Sequence, residues 1–151
     1  MFEGLGRSSD EKVFNTLRNA MAELGVDCEA DEENRHILFT VQGDDLEIGF
    51  QAAVIEGCIL LSAVLAVTVP PERQDEVLRE INRLNADCVY GHFVLYPDNG
   101  MITFDRSYIF DDRPSKDHLQ FIIYSMLREV DENDGDLRRF EGPDDSMSLY
   151  H

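Results

Sequence analysis

The sequence predicts an α+β domain: an antiparallel sheet of five or six strands with three helices, in the order α-β-β-β(-β)-α-β-β-α. Three observations carry this. Apolar residues recur at helical spacing in three separate stretches, Val13 to Leu24, Val77 to Leu84 and Leu119 to Val130. Between them lie short runs with the period-two alternation of half-buried strands. Pro97-Asp98-Asn99-Gly100 separates two runs rich in aromatic and β-branched residues, which is a hairpin signature.

The first helix is expected to open at Ser8 and Ser9, because Ser8 and Glu11 have capping-box spacing, each side chain satisfying the other's free backbone amide. Val13, Phe14, Leu17, Ala20, Met21 and Leu24 form its buried stripe, and Gly25 ends it. Val26 to Ala30 reads as a short strand, Asp31 to Asn34 as a turn, and Arg35 to Gln42 as a strand with Ile37, Phe39 and Val41 on one face. After the Gly43-Asp44-Asp45 turn, Leu46, Ile48, Phe50, Ala52 and Val54 alternate with Glu47, Gly49 and Gln51. Cys58 to Val69 does not alternate. A strand apolar on both sides is either central and covered on both faces or covered by a second subunit.

Pro70 and Pro71 stop that strand and suit the first turn of a helix, where Glu72, Asp75 and Glu76 favour the positive end of the dipole. Val77, Leu78, Ile81 and Leu84 form its stripe, and Asn82 and Asn85 are expected to terminate it by hydrogen-bonding free backbone groups. Strands follow at Val89 to Tyr96 and Met101 to Phe110. Ser115 is expected to cap a last helix whose stripe is Leu119, Ile122, Ile123, Met126, Leu127 and Val130. Residues 1–130 thus form one domain, and the acidic stretch 131–151 reads as a weakly ordered tail, with Leu137 and Phe140 able to dock as a short turn.

Composition bounds the function classes. With 151 residues the chain can bury a continuous core without staples, and 43% hydrophobic content is that of a globular chain. Thirteen Lys and Arg against thirty-one Asp and Glu give a net charge of −18, which repels phosphate backbones and anionic membranes, so neither nucleic acid nor a membrane is the expected partner. Cys28, Cys58 and Cys88 are widely spaced with no CxxC pair, encoding neither a disulfide framework nor a zinc site. Met1 to Arg7 lacks the cationic start and apolar core of a signal peptide, so the expected location is the cytoplasm.

No catalytic motif stands out, and the chain reads as a non-enzyme without cofactor. His36, His92, His118 and His151 lack the spacing that places two imidazoles on one metal. Asp105, Asp111 and Asp112 lack the spaced oxygens and glycine of a calcium loop and read as a solvated turn. Gly4 and Gly6 form no phosphate loop, since no strand precedes them and no third glycine follows. Cys88 and His92 are near enough in sequence to raise a thiolate and base pair, but a buried structural cysteine is the plainer reading. Tyr90, Phe93, Tyr96, Phe104, Tyr108 and Phe110 crowd the hairpin as core and sheet-face packing, with a partner-binding surface as the other reading.

The segment Ile81 to Phe110 carries a resemblance. A helix end with Asn82 and Asn85, a strand with Gly91 and Phe93, the turn Asp98-Asn99-Gly100, a strand with Ile102 and then a helix begun at Ser115 resemble the YbjN-like family of bacterial proteins, over roughly Ser9 to Val130. That family resembles type III secretion chaperones in fold and carries the label "putative sensory transduction regulator". The resemblance implies a domain that pairs into homodimers, no fixed catalytic residue, and a chaperone-like or adaptor role. The expected function is therefore a non-enzymatic protein-binding module, holding a partner segment by edge-strand pairing or in an apolar groove. The alternative is a regulatory or sensory domain with a small ligand between helix and sheet. Candidate partner or dimer surface residues are Leu60, Val64, Ala66, Val77, Ile81, Tyr90 and Tyr108, with the second helix at or near the dimer interface.

Overall fold

The structure is a computed structural model and describes residues 2–25, 27–44, 47–110 and 112–141, with side chains from Ser9 onward. The chain runs α1 (Phe2–Glu23), β1 (Glu29–Asp31), β2 (His36–Gln42), β3 (Glu47–Ile55), β4 (Cys58–Thr68), a 3-10 turn (Pro71–Arg73), α2 (Gln74–Asp87), β5 (His92–Tyr96), β6 (Met101–Ile109) and α3 (Lys116–Arg138). The six strands form one antiparallel sheet in the order β1-β2-β3-β4-β6-β5. This is the α+β order expected from the periodicities.

All three helices bury an apolar stripe within the chain, but Leu24, just past the end of α1, and Leu78 of α2 lie off those stripes and are exposed. On one face of the sheet α1 lies over β3 and α3 over β4, the two helices in contact with each other, while α2 packs against β5 and touches α3. The core is continuous: Phe14, Leu17 and Met21 of α1 and Ile122, Ile123 and Met126 of α3 meet Phe50, Ile59, Leu61, Ala63 and Phe104 of the sheet. Phe39 stacks on Phe50 at 5.0 Å, and Phe93 tilts against Phe104 at 4.7 Å.

Several boundaries differ from the sequence expectations. α1 begins at Phe2, so Ser8 and Glu11 lie inside a helix already under way rather than at its start. Helix propagation adds a bond for each residue fixed once a docked stripe has nucleated it. Of the first predicted strand, Val26 lies outside the described residues and the strand itself is Glu29–Asp31; Leu46 and Asp45 likewise lie outside. β5 begins at His92 because the N–H groups of Val89 and Tyr90 donate to the carboxylate of Glu129 on α3, at 2.9 and 3.1 Å, instead of to a strand. α3 does not stop at Val130: it continues to Arg138, burying Asp134 and Leu137, and Phe140 is buried beyond it under the guanidinium of Arg73. The expected tail boundary at residue 131 therefore falls inside a docked helix, and residues 142–151 lie outside the described residues.

Two side chains do long-range work. Asp10 of α1 is buried and accepts from the N–H groups of Glu56 and Gly57, at 2.9 and 3.0 Å, which pins the β3–β4 turn onto the helix. Asn85 does not terminate α2. Its amide reaches across to β5, accepting from Phe93 N–H at 2.7 Å and donating to Phe93 C=O at 3.1 Å, so it occupies that strand edge. Asn82 is exposed. The expected hairpin forms, with Gly100 at φ 71°, and a Cβ there would lie 2.2 Å from the carbonyl oxygen of Val69. Only glycine allows both that backbone conformation and that approach.

Candidate functional site

The candidate site is the face of the sheet that the helices leave open. In β4 burial alternates strictly: Ile59, Leu61, Ala63, Leu65 and Val67 are buried, while Leu60, Ser62, Val64, Ala66 and Thr68 are not. The apolarity of Cys58 to Val69 therefore reflects one face packed on helices and a second, largely apolar face whose Leu60 and Ala66 are exposed and whose Val64 is half-buried.

Register sets what that open face presents. Across the strands, Thr40 opposes Gly49, Gly49 opposes Val64, Val64 opposes Thr103 and Thr103 opposes Val94. The neighbouring row is Leu38, Gln51, Ser62, Asp105 and His92, in which Ser62 Oγ donates to Asp105 at 2.6 Å. The next is His36, Ala53, Leu60 and Ser107. Apart from Asp105, which Ser62 engages, these side chains are small, apolar or uncharged polar groups and imidazoles. Gly49 leaves a gap in the middle, and around it opens a cavity of about 510 Å³ lined by Leu38, Thr40, Gly49, Gln51 and Val64, with Asp27 and Glu29 at its rim. Leu38, in the wall of this hollow, and Leu60, two rows beyond Gly49 on the same face, hold apolar surface in water at 40% and 43% exposure.

Charge is distributed unevenly over this surface. By strand alternation the open face carries Glu29 and Asp31 of β1, Glu47 of β3 and Asp105 of β6, and among the described strand residues no Lys or Arg points there. Arg106, the one Lys or Arg among the described strand residues, opposes Leu61 on the helix-covered side. An uncharged apolar centre with an acidic rim suits a partner with apolar and basic groups.

The residues singled out in the sequence separate into groups. Leu60, Val64 and Ala66 lie together on the open face. Val77 and Ile81 offer no surface, because both are buried in the stripe that α2 turns into the core. Tyr90 is half-buried edge-on to Phe121 at 6.0 Å, on the outer side of α3 beside the exposed Tyr124. Tyr108 is half-buried against His118, on the helix-covered side. Leu38, Thr40 and Gly49 were missed. Their signal was present, since they alternate with buried Phe39, Ile48 and Phe50, but alternation marks a wet face without saying that it is a hollow.

Cys88 and His92 are not brought together as a catalytic pair. His92 is exposed on the open face, whereas Cys88 caps α2 beside Glu129 of α3. Burial first, and then the Glu129 carboxylate, push the Cys88 thiol up to about 12, away from the thiolate a nucleophile requires. Cys28 is also raised, by burial and by Asp27. Among the described residues no group of three His, Cys, Asp or Glu is placed to hold a metal ion. Asp111 lies outside the described residues, and Asp105 is engaged by Ser62. Among the described residues no helix is long and apolar enough to cross a membrane.

Comparison with known proteins agrees with this architecture. The crystal structure of YbjN from E. coli, described as "a putative transcription regulator", is similar with a TM-score of 0.63 at 14% identity, covering 85% of this chain and 95% of that one. No curated protein sequence matches the chain significantly. The family model for YbjN, "Putative bacterial sensory transduction regulator", matches residues 14–139, from the buried stripe of α1 to the end of α3, and the chain belongs to the YbjN family.

Proposed function

We propose that the chain is a non-enzymatic protein-binding module, chaperone-like or adaptor in role, that holds a segment of a partner protein on the open face of its sheet. The observation that supports this is the hollow around Gly49, an apolar surface on central strands in a chain whose helices all pack on the other side. Apolar side chains left exposed together on a sheet face, rimmed by polar residues, support an interaction reading. A regulator of this family acts, in this reading, through protein contacts. A net charge of −18 makes direct contact with nucleic acid unfavourable.

Of the two docking modes open to such a module, groove binding fits better than edge-strand pairing. The β5 edge is occupied at Phe93 by Asn85, and the opposite edge strand, β1, has three residues. A second reading, sensing of a small ligand, draws on the same hollow rather than on a space between helix and sheet. The homodimer implied by the family belongs to the proposal too, and α2 contributes little to it through Val77 and Ile81, which are committed to the core. Sedimentation at micromolar concentration tests the dimer separately: twice the chain mass is expected, and a monomer would remove the dimer without touching the groove. The binding reading is tested by cross-linking from a photoreactive group at position 60. A single protein partner that is lost when Gly49 is replaced by Phe supports it, and labelling unaffected by that change refutes it.

A further inference from the structure

The open face selects its occupant by chemistry, and this inference rests on the protein-binding reading above. An extended segment laid across the hollow would bury most of its backbone N–H and C=O groups against Leu38, Gly49 and Val64, with the side chains of Thr40 and Gln51 too few to hydrogen-bond them all. A helix satisfies its backbone internally and presents only side chains. The rim of the hollow is acidic at Asp27 and Glu29, and no Lys or Arg alternates onto the face among the described strand residues. A second copy would bring acid against acid in a chain of charge −18. We infer that the hollow docks a cationic amphipathic helix, whose apolar stripe lies over Gly49 and Val64 and whose Lys or Arg flanks face Asp27 and Glu29.

The test uses the full chain and two designed helical peptides of about 18 residues, five turns, sharing one leucine stripe and flanked by Lys in one and Glu in the other. Fluorescence anisotropy at two salt concentrations gives affinity, and amide chemical shifts give the location. The Lys peptide is expected to bind at least about tenfold more tightly than the Glu peptide, to weaken with salt and to shift residues of β2 to β4. Reversing the rim with Asp27→Lys and Glu29→Lys, both exposed positions, should weaken the Lys peptide about tenfold without changing the unfolding midpoint. Equal binding of both peptides at the open face overturns the cationic specificity and leaves the protein-binding reading standing. Binding of neither peptide overturns both. A dimer whose protected amides are those around Leu38 and Leu60 identifies a second copy as the occupant and overturns the inference.

Discussion

The two faces of β4 are built from nearly the same residue types and have opposite fates. Ile59, Leu61, Ala63 and Leu65 disappear beneath α1 and α3, while Leu60, Val64 and Ala66, one residue out of step, stay in contact with solvent. The difference is more in the cover than in the hydrophobicity, since only Ser62 and Thr68 add hydroxyls to the open side. Helices supplied by the chain itself close one side, and the other side is left apolar with an acidic rim. Fold energy thus concentrates on one face, and the other is left open for the binding role proposed above.

This contrast orders the expected effects of substitution. Phe104→Ala removes a fully buried ring packed on Phe93 and should cost about 3–5 kcal/mol in chemical denaturation, the loss typical of a large core aromatic. Gly100→Ala forces a side chain into a left-handed backbone, a cost of roughly 1–3 kcal/mol, and drives its Cβ toward Val69, so the total should lie at or above the top of that range. Asp10→Ala leaves the N–H groups of Glu56 and Gly57 without their acceptor and should cost about 1–3 kcal/mol. Leu60→Ser, on the open side, should cost below about 1 kcal/mol. A loss at Leu60 equal to that at Phe104 would erase the distinction between the faces.

Acid should loosen the helix layer rather than the open face. Glu23 is held below its ordinary value of 4.5 chiefly by Lys116 of α3, and Glu80 of α2 chiefly by Arg83, with Arg139 contributing. A carboxylate depressed in the folded state stabilises the fold above its unfolded pKa, and that contribution disappears as pH falls through the folded value. The denaturation midpoint should therefore decline below about pH 4.5, and Glu23→Gln with Glu80→Gln should flatten the decline. Cys88, with its raised thiol, should alkylate more slowly than free cysteine at neutral pH. Faster alkylation would reopen a nucleophilic role.

Much of this fold was legible because its signals are local. The three stripes, the Pro97 to Gly100 turn and the Ser115 cap, whose Oγ accepts from His118 N–H at 3.1 Å, are each decided within a few residues. What escaped is long-range. Nothing near Asp10 announces a turn 46 residues away, nothing near Asn85 announces the edge of β5, and Glu129 gives no sign of holding Val89 and Tyr90. The end of α3 was hidden differently. Val130, Asp134 and Leu137 continue the helical stripe, but the surrounding acid suggested a solvated tail, and average charge overrode a pattern that one buried stripe was enough to satisfy. Of the candidate site, the apolar face of β4 was visible in sequence. That it would lie open depended on which helices covered the sheet, and no residue of β4 encodes that.

Gly49 separates binding from folding most directly. Its backbone is not left-handed, and a Cβ there would meet only Val64, at an ordinary 3.9 Å, so the backbone accepts a side chain and Gly49→Phe directs a strand-favouring ring into the hollow. Measured on one sample, the denaturation midpoint should stay level or rise while the Lys-flanked peptide no longer binds. A midpoint lowered as far as that of Phe104→Ala, or binding that survives the filled hollow, would contradict the division of the sheet into a face that folds the chain and a face that holds its partner.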